Sequence, residues 1–581
     1  MFTLWTGDLC QLVHQDSKLA VEFDRFGVPS PSTRSPSAKQ LPVTVSAFLG
    51  VISLSAGAYL VVAKTRSSVG EFIGHKIYHL TDFELVRTDG GPDSALDAKY
   101  RSLVDAHLKS APLYTSDTWD LTLSLQRQSH PEDTRFWWNY EVAKSISGLA
   151  AKHREYAPFV QKCIFGIYSV RSTTLHQKSV QFGLITRRSR FRAGTRYFRR
   201  GVDHDGNVAN FNETEQVLIT NGSVYSYVQT RGSVPVFWGE VNHMTYRPWL
   251  RIGADPVEPA RKHFDQQISI YGHQYLVNLV NNKGYEEPVK AAYESVVAAL
   301  NDKKNINYVY FDFHHECSKM RWHRVYELID TMKTMGLSDQ KWCKVESGKV
   351  VRTQASVVRT NCMDCLDRTN VVQSCLGGWT LQQQLEDAGL VSNGEKWEQD
   401  ESFQAIFRAA WGDNADIVSF AYSGTGALKT DFTRTGKRTK AGELNDFRNS
   451  AARYYLNNLR DGPRQDAFNL WLGDFQVSSS AVDPFVDGRP ALTQAMPYFM
   501  FFSIVVLILN ILAPSTKRSC KANLLVDAIL LILAVVFQRL IVKNGLQYVN
   551  WPRLLPLDYV KLTTSNGATK ILQTQKTLRQ T

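Results

Sequence analysis

The chain has 581 residues, 43% of them apolar and 21% charged, so it exceeds one compact domain and is not a disordered polyelectrolyte. Its formal charge of +12 suits polyanionic partners, whether nucleic acid, an anionic membrane face or a phosphorylated substrate, and equally suits a plain solvated surface. The eight cysteines show no disulfide-scaffold rhythm and read as reduced thiols.

The first residues, MFTLWTGDLCQLVHQDSK, lack the basic start and apolar run of a signal peptide. With reduced thiols, that predicts a cytosolic body. Residues 27–42 are rich in Pro and Ser and read as a mobile loop. Residues 43–64 are apolar enough for a membrane span, but Gly50, Gly57, interspersed Ser and many β-branched residues favour a buried β-hairpin turning at SAG. Strand-like runs continue to about residue 90, and DAKYRSLVDAHLKS is helix-like. FGLITRRSRFRAGTRYFRRG reads as strands carrying arginines, with Arg187, Arg188, Arg190 and Arg192 as surface residues. VYFDFHHEC (309–317) reads as a buried strand ending in polar residues.

Residues 359–370, RTNCMDCLDRTN, hold the pattern Cys-x5-Arg-Thr from Cys362 to Arg368 and Thr369. The strand SVVRTN delivers the cysteine to a tight loop whose five intervening residues can wrap backbone N–H groups around a phosphate. A helix starting near Arg368 points its positive end at the same spot. Arg368 offers a planar fork to two phosphate oxygens. The same field favours the Cys362 thiolate, the reactive species. The expected chemistry is in-line attack on phosphorus through a phosphocysteine. Gly389 is the expected stop of the following helix, which Gly377 and Gly378 weaken by about 1 kcal/mol each. Two rival readings use the same thiols. Cys362 and Cys365 could bind zinc with Cys317, His314 or His315, or form a redox pair in which Cys365 protects Cys362.

Further on, Lys429, Arg434, Lys437 and Arg438 form a basic cluster, either a solvated face or a contact for phosphates and the anionic leaflet. Residues 477–494 read as a linker. Fully extended, it would reach roughly 60 Å. Residues 495–513 and 522–542 are span-length apolar segments that predict a membrane hairpin. Asp527 in the second span needs a partner or the interface. Tyr548, Trp551 and Arg553 suit the interface beyond it. Lys517, Arg518 and Lys521 in the loop oppose Arg539, Lys543 and Arg553 after it, so charge alone leaves the topology undecided.

RTNCMDCLDRTN resembles the signature of the Sac family of phosphoinositide phosphatases. FRAGTRYFRRG (191–201), NFNETEQ (210–216), QTRGSVPVFW (229–238), FDFHHEC (311–317) and GTGALKTDFTRTGKRT (424–439) are similar to further Sac-domain blocks. With the hairpin, the resemblance runs from about 43 to 555 and points to the family's integral-membrane branch of the endoplasmic reticulum and Golgi. The final KTLRQT carries no dilysine-type retrieval signal, so that address rests on the resemblance and the spans.

The implied fold is an α/β catalytic domain of cysteine-phosphatase type with an N-terminal β-rich subdomain and a C-terminal two-helix membrane hairpin. The implied divisions are 1–150, 151–476, the linker, the two spans and a cytosolic tail 543–581. The implied substrate is phosphatidylinositol 4-phosphate, and also the 3-phosphate, in the cytosolic leaflet. No metal or other cofactor and no nucleic acid is implied. Cys362 carries over as nucleophile and Arg368 as phosphate binder. Asp364 and Asp367 are candidate general acids, with His314 a further one. Asn361, Met363, Cys365, Leu366, Thr369, Lys429, Lys437 and Arg438 are the expected substrate contacts. A cysteine-dependent protein phosphatase and a non-enzymatic lipid-binding tether are the alternatives.

Overall fold

The computed structural model describes residues 1–6, 10–33, 43–337, 342–392, 394–478, 482–513 and 519–557. Five short strands, Phe2–Trp5, Cys10–His14, Ala20–Phe23, Pro29–Ser32 and Val43–Val45, form an antiparallel sheet. The loop expected over 27–42 is corrected in part. Pro29–Ser32 pairs with Ala20–Phe23 at the sheet's edge, where missing proline N–H groups are tolerated, and 34–42 lies outside the described residues.

The hairpin expected at 43–64 is present. Ala47–Ser53 runs against Ala58–Phe72, and Leu54 N donates to Gly57 O at 2.8 Å to close the turn. Gly50 sits at a bulge with φ +139°, and a Cβ there would meet Val142 O at 2.1 Å. The expected helix also forms, over Ala95–Leu108, where the Ser94 side chain accepts from Asp97 N.

The hairpin is the far edge of a fourteen-stranded sheet. Towards the site its strands are β1 (Lys178–Arg188), β2 (Asn212–Thr220), β3 (Ser223–Arg231), β4 (His273–Asn278), β5 (Ile306–Tyr310) and β6 (Ser356–Asn361). Strands β1 to β3 are antiparallel neighbours. Then β6 lies parallel to both β3 and β4, and β4 parallel to β5. The sheet passes residue 150 unbroken, because Leu113–Thr115 pairs with Cys163–Tyr168. The expected boundary there is not a gap in the sheet.

Two readings of single segments need correction. Arg187 and Arg188 are buried, not surface residues. Arg187 bridges Glu213 (3.1 Å) and Glu215 (2.7 Å) on the neighbouring strand, and Arg188 donates to Ala421 O and Gly194 O at 2.6 Å. Burial is tolerable for both because carboxylates or carbonyls replace the lost water. The strand expected through 309–317 ends at Tyr310, because the Asp312 side chain accepts from His315 N and starts a helical turn over Phe313–Glu316.

The helices after β6 are α1 (Asp367–Asp387), α2 (Glu401–Ser423), α3 (Thr430–Thr435), α4 (Lys440–Leu459), α5 (Asp461–Trp471), α6 (Ala491–Leu512) and α7 (Cys520–Lys543). Val372 and Leu376 of α1 pack with Val358 of β6, Val277 and Val309. Burying each such side chain contributes about 1.5–3 kcal/mol, which fixes α1 beneath the end of β6. Helices α6 and α7 match the expected spans to within a few residues, and their sides are largely bare of protein. At 22 and 24 residues they reach the length of the hydrocarbon layer. Asp527 has the partner it needs, since Asn510 Nδ2 donates to it at 2.8 Å across the hairpin. The loop 514–518, with Lys517 and Arg518, lies outside the described residues.

Neither strap joining the body to the hairpin hangs free. Lys99 pairs with Asp483, and Phe485 packs on Tyr100. Asp466 accepts from the amides of Arg553 and Leu554 at 2.8–2.9 Å, and Trp551 packs on Phe198. Tyr548 and Trp551, expected at the membrane interface, are buried within the protein and line a cavity with Pro497 and Ile541 of the two apolar helices.

Candidate active site

Strand β6 is buried along its length, and Asn361 at its end donates from Nδ2 to Asn278 Oδ1 at the end of β4 (2.9 Å). That pairing fixes where the chain leaves the sheet. Cys362 follows at once, at the carboxyl end of a parallel strand where open α/β sheets form their crevice. The loop turns with Cys365 at φ +55° and enters α1 at Asp367. Cys365 N donates to Cys362 Sγ at 3.1 Å, and Thr369 Oγ1 lies 3.7 Å from the same sulfur.

A side-chain hydrogen bond from Cys365 lowers the Cys362 thiol to about 6, helped by the Arg368 charge and Thr369 and opposed by burial. Burial drives Cys365 the other way, well above the ordinary thiol range, and its Sγ donates to Gly232 O at 3.0 Å. One of the two sulfurs is therefore set up as thiolate at neutral pH and the other as thiol.

The loop is tied from outside. Arg200 Nη1 holds Met363 O at 2.9 Å, and Asn210 Nδ2 holds Asp364 O at 3.0 Å. Met363 packs beside Val234 and Trp238, and Leu366 against Val418 and Tyr422. Their side chains anchor the loop in the core, so only their backbones can face a ligand. Among the described residues, the amides of Met363, Asp364 and Leu366 find no protein acceptor. Those of Asp367, Arg368 and Thr369 open the helix and have no intrahelical one.

The two loop carboxylates differ. Asp364 is gripped by Arg196 (2.9 and 2.7 Å) and by Arg200 (2.6 Å). Burial alone would raise it, but the two guanidinium groups outweigh this and hold it far below the usual carboxylate range. It has no proton to give near neutral pH. Asp367 accepts from Leu428 N at 2.7 Å, has Arg453 at 3.5 Å, and lines the cavity beside Cys362.

That cavity has a volume of about 190 Å³. Phe313, Trp322 and Leu428 give it apolar walls, and Lys429 is at its rim. Of the basic cluster, Lys429 alone reaches it. Arg438 pairs with Asp431 and Asp446, Arg434 with Asp413 and Asp416, and Lys437 is exposed. His314 and His315 are exposed, whereas Cys317 lines the cavity. Arg368 also lines it, yet its guanidinium is engaged at the side. It donates to Leu279 O (2.9 Å), Asn281 Oδ1 (3.0 Å) and both oxygens of Glu286 (2.9 and 2.7 Å).

Sequence reasoning missed Glu286, Arg196, Arg200, Asn210 and Arg453. Arg196, Arg200 and Asn210 stand in FRAGTRYFRRG and NFNETEQ, blocks singled out only by resemblance. Glu286 stands in KGYEEP, which carries no signal.

The SacI homology domain matches residues 46–318 of the chain. The chain is 46% identical over 541 residues to phosphatidylinositol-3-phosphatase SAC1 of Saccharomyces cerevisiae, covering 89% of this chain and 86% of that protein. It is 38% identical over 546 residues to phosphatidylinositol-3-phosphatase SAC1-B of Danio rerio, covering 90% and 91%. It is 37% identical over 529 residues to phosphatidylinositol-3-phosphatase SAC1 of Drosophila melanogaster, covering 87% and 88%.

Proposed function

The chain belongs to the Sac family of phosphoinositide phosphatases, and from that premise we propose that it hydrolyses phosphatidylinositol 4-phosphate, and also the 3-phosphate, through a phosphocysteine on Cys362. Its relatives' names supply the 3-phosphate, and the wider resemblance to the family's integral-membrane branch supplies the 4-phosphate. The observation that carries the mechanism is the Cys362 sulfur, lowered to about 6, under a ring of uncommitted amides at the start of α1.

In the first step Cys362 Sγ attacks phosphorus in line. An S–P bond forms, the P–O bond to the inositol oxygen breaks, and Asp367 gives that oxygen its proton. The loop amides hold the phosphoryl oxygens, and Arg368 exchanges Glu286 for two of them. In the second step water attacks phosphorus, Asp367 takes up a proton, the P–S bond breaks and the thiolate returns. Lys429 at the rim faces the inositol ring or a second phosphate. Lys437 and Arg438 lie further out and meet the leaflet surface.

The cysteine-phosphatase type of the α/β part, the N-terminal portion 1–150, the catalytic portion 151–476, the linker 477–494 and a cytosolic 543–581 belong to the same reading. So does residence in the endoplasmic reticulum and Golgi membranes, with the catalytic body cytosolic. The test is purified full-length protein and Cys362→Ser, assayed on phosphatidylinositol monophosphates and phosphotyrosine peptides, with and without chelator. Chelator-insensitive lipid turnover lost in Cys362→Ser is expected. Preference for the peptides would sink the lipid assignment.

A further inference from the structure

Helix α4 is built inside out. Its inward residues are polar. Asp446 accepts from Lys429 N at 2.9 Å and pairs with Arg438. Arg453 donates to Thr425 Oγ1, Ser419 Oγ and Gly426 O at 2.9 Å and faces Asp367 at 3.5 Å. Asn457 is buried on the same side, while Asn458, on the outward arc, is covered near the helix end, where Asn550 N donates to its carbonyl at 2.7 Å. Its outward residues are apolar: Leu444 and Phe447 are 69% and 72% exposed, and Tyr454, Tyr455 and Leu459 are exposed with them. At about 100° per residue these five fall within an arc of roughly 140°. An amphipathic helix of a water-facing domain has the opposite arrangement. Asp446 and Arg453 are tied to the body by these specific hydrogen bonds, so the helix cannot simply roll over to hide its apolar side.

Two features say what covers that side. Lys440 and Arg448 lie on the same face, with Glu443 at its edge, and exposed Lys437 precedes the helix. Such a pairing of apolar and basic groups fits an anionic lipid surface. The helix, about 30 Å long, also connects two fixed regions. Along its middle Asp446 and Arg453 hold Lys429 and Asp367, which line the catalytic cavity. At its end Leu459 lines a cavity of about 890 Å³ with Pro497 and Tyr498 of α6 and Ile541 of α7. Tyr454 OH donates to Met244 O at 2.7 Å beside that cavity. The exposed face is thus continuous with the place where the transmembrane helices leave the body.

We propose that the outward face of α4 lies on the bilayer crossed by α6 and α7 and brings the Cys362 cavity to lipid headgroups in that same membrane. This rests on the phosphatase reading only for its activity readout. The full chain, reconstituted in vesicles of phosphatidylcholine, phosphatidylserine and phosphatidylinositol 4-phosphate, is compared with Leu444→Ser/Phe447→Ser. The same proteoliposomes are also given the water-soluble dibutanoyl form of the substrate. Turnover of the bilayer lipid is expected to fall more than tenfold with the soluble substrate unaffected. Unchanged turnover of both, or an equal loss on both, overturns the proposal.

A nitroxide on Phe447→Cys in a Cys362→Ser/Cys375→Ser/Cys520→Ser background tests the contact without any activity. It is expected to meet dissolved oxygen more readily than a water-soluble nickel chelate. The reverse order overturns the proposal, as does dipolar broadening that places a second copy on the face. Should neither substrate be turned over by the unmodified chain, the phosphatase reading fails and the nitroxide result still decides the membrane contact.

Discussion

Glu286 takes both terminal nitrogens of Arg368, at 2.9 and 2.7 Å, in the fork geometry that a phosphate would use. The two groups are 15% and 23% exposed, so the pair is partly screened and modest in strength. Substrate must displace Glu286 to gain Arg368. Glu286→Gln removes the competing charge, and KM is expected to fall about fivefold, corresponding to about 1 kcal/mol. Steady-state kinetics on vesicles check this. A raised KM would instead make Glu286 the group that holds Arg368 in its working position.

The Cys362 thiolate is the attacking form, so the acid limb of kcat/KM is expected to rise through about pH 6. The largest cause is the side-chain hydrogen bond from Cys365, which alanine removes while the backbone bond from Cys365 N stays, and burial opposes it. Cys365→Ala should therefore move the limb to higher pH, because the thiolate loses its main support while its burial persists. The shift is read from the pH profile of free enzyme or from iodoacetamide alkylation rates. An unmoved limb would mean that Arg368 and the helix terminus suffice.

Asp364 and Asp367 should separate in experiment. Asp364→Ala strips Arg196 and Arg200 of a shared carboxylate in a site where the Arg200 side chain is 2% exposed. A loss of about 3 kcal/mol of stability is expected, measured by denaturant unfolding. Asp367→Asn should leave stability close to unchanged and slow lipid turnover about 100-fold. A phenolic phosphate needs little help from an acid, so its turnover by Asp367→Asn should fall far less. An equal loss on both substrates would remove Asp367 as the acid.

How far these elements could be read from residues alone follows from the range of the interactions that fix them. The hairpin over Ala47–Ser53 and Ala58–Phe72 and the strand-loop-helix around Cys362 depend on neighbours in sequence, and both are legible. Arg187 and Arg188 look like surface arginines because their partners are remote. Glu213 lies on the next strand, and Ala421 is 233 residues on. The same remoteness hides Glu286 from Arg368, 82 residues away. The packing of Trp551 on Phe198 is hidden in the same way, because the two lie 353 residues apart.

Asp466 joins the body to the segment that follows α7. It is buried, and desolvation pushes it up to about 7 although the amides of Arg553 and Leu554 and nearby cations pull it down. The folded-state value lies above the ordinary 3.8, so the docked state favours the protonated form. Stability from this group is present below about pH 4 and lost as pH rises through about 7, a change of at most about 4 kcal/mol. Asp466→Asn keeps an acceptor for the amides without the charge. It is expected to be more resistant than the unmodified chain to proteolysis after α7 at pH 8, with the advantage shrinking towards pH 5. Limited proteolysis of proteoliposomes across that range measures it. A variant cut faster at pH 8 would show that the charged carboxylate, bonded to two amides, is what holds the strap to the body.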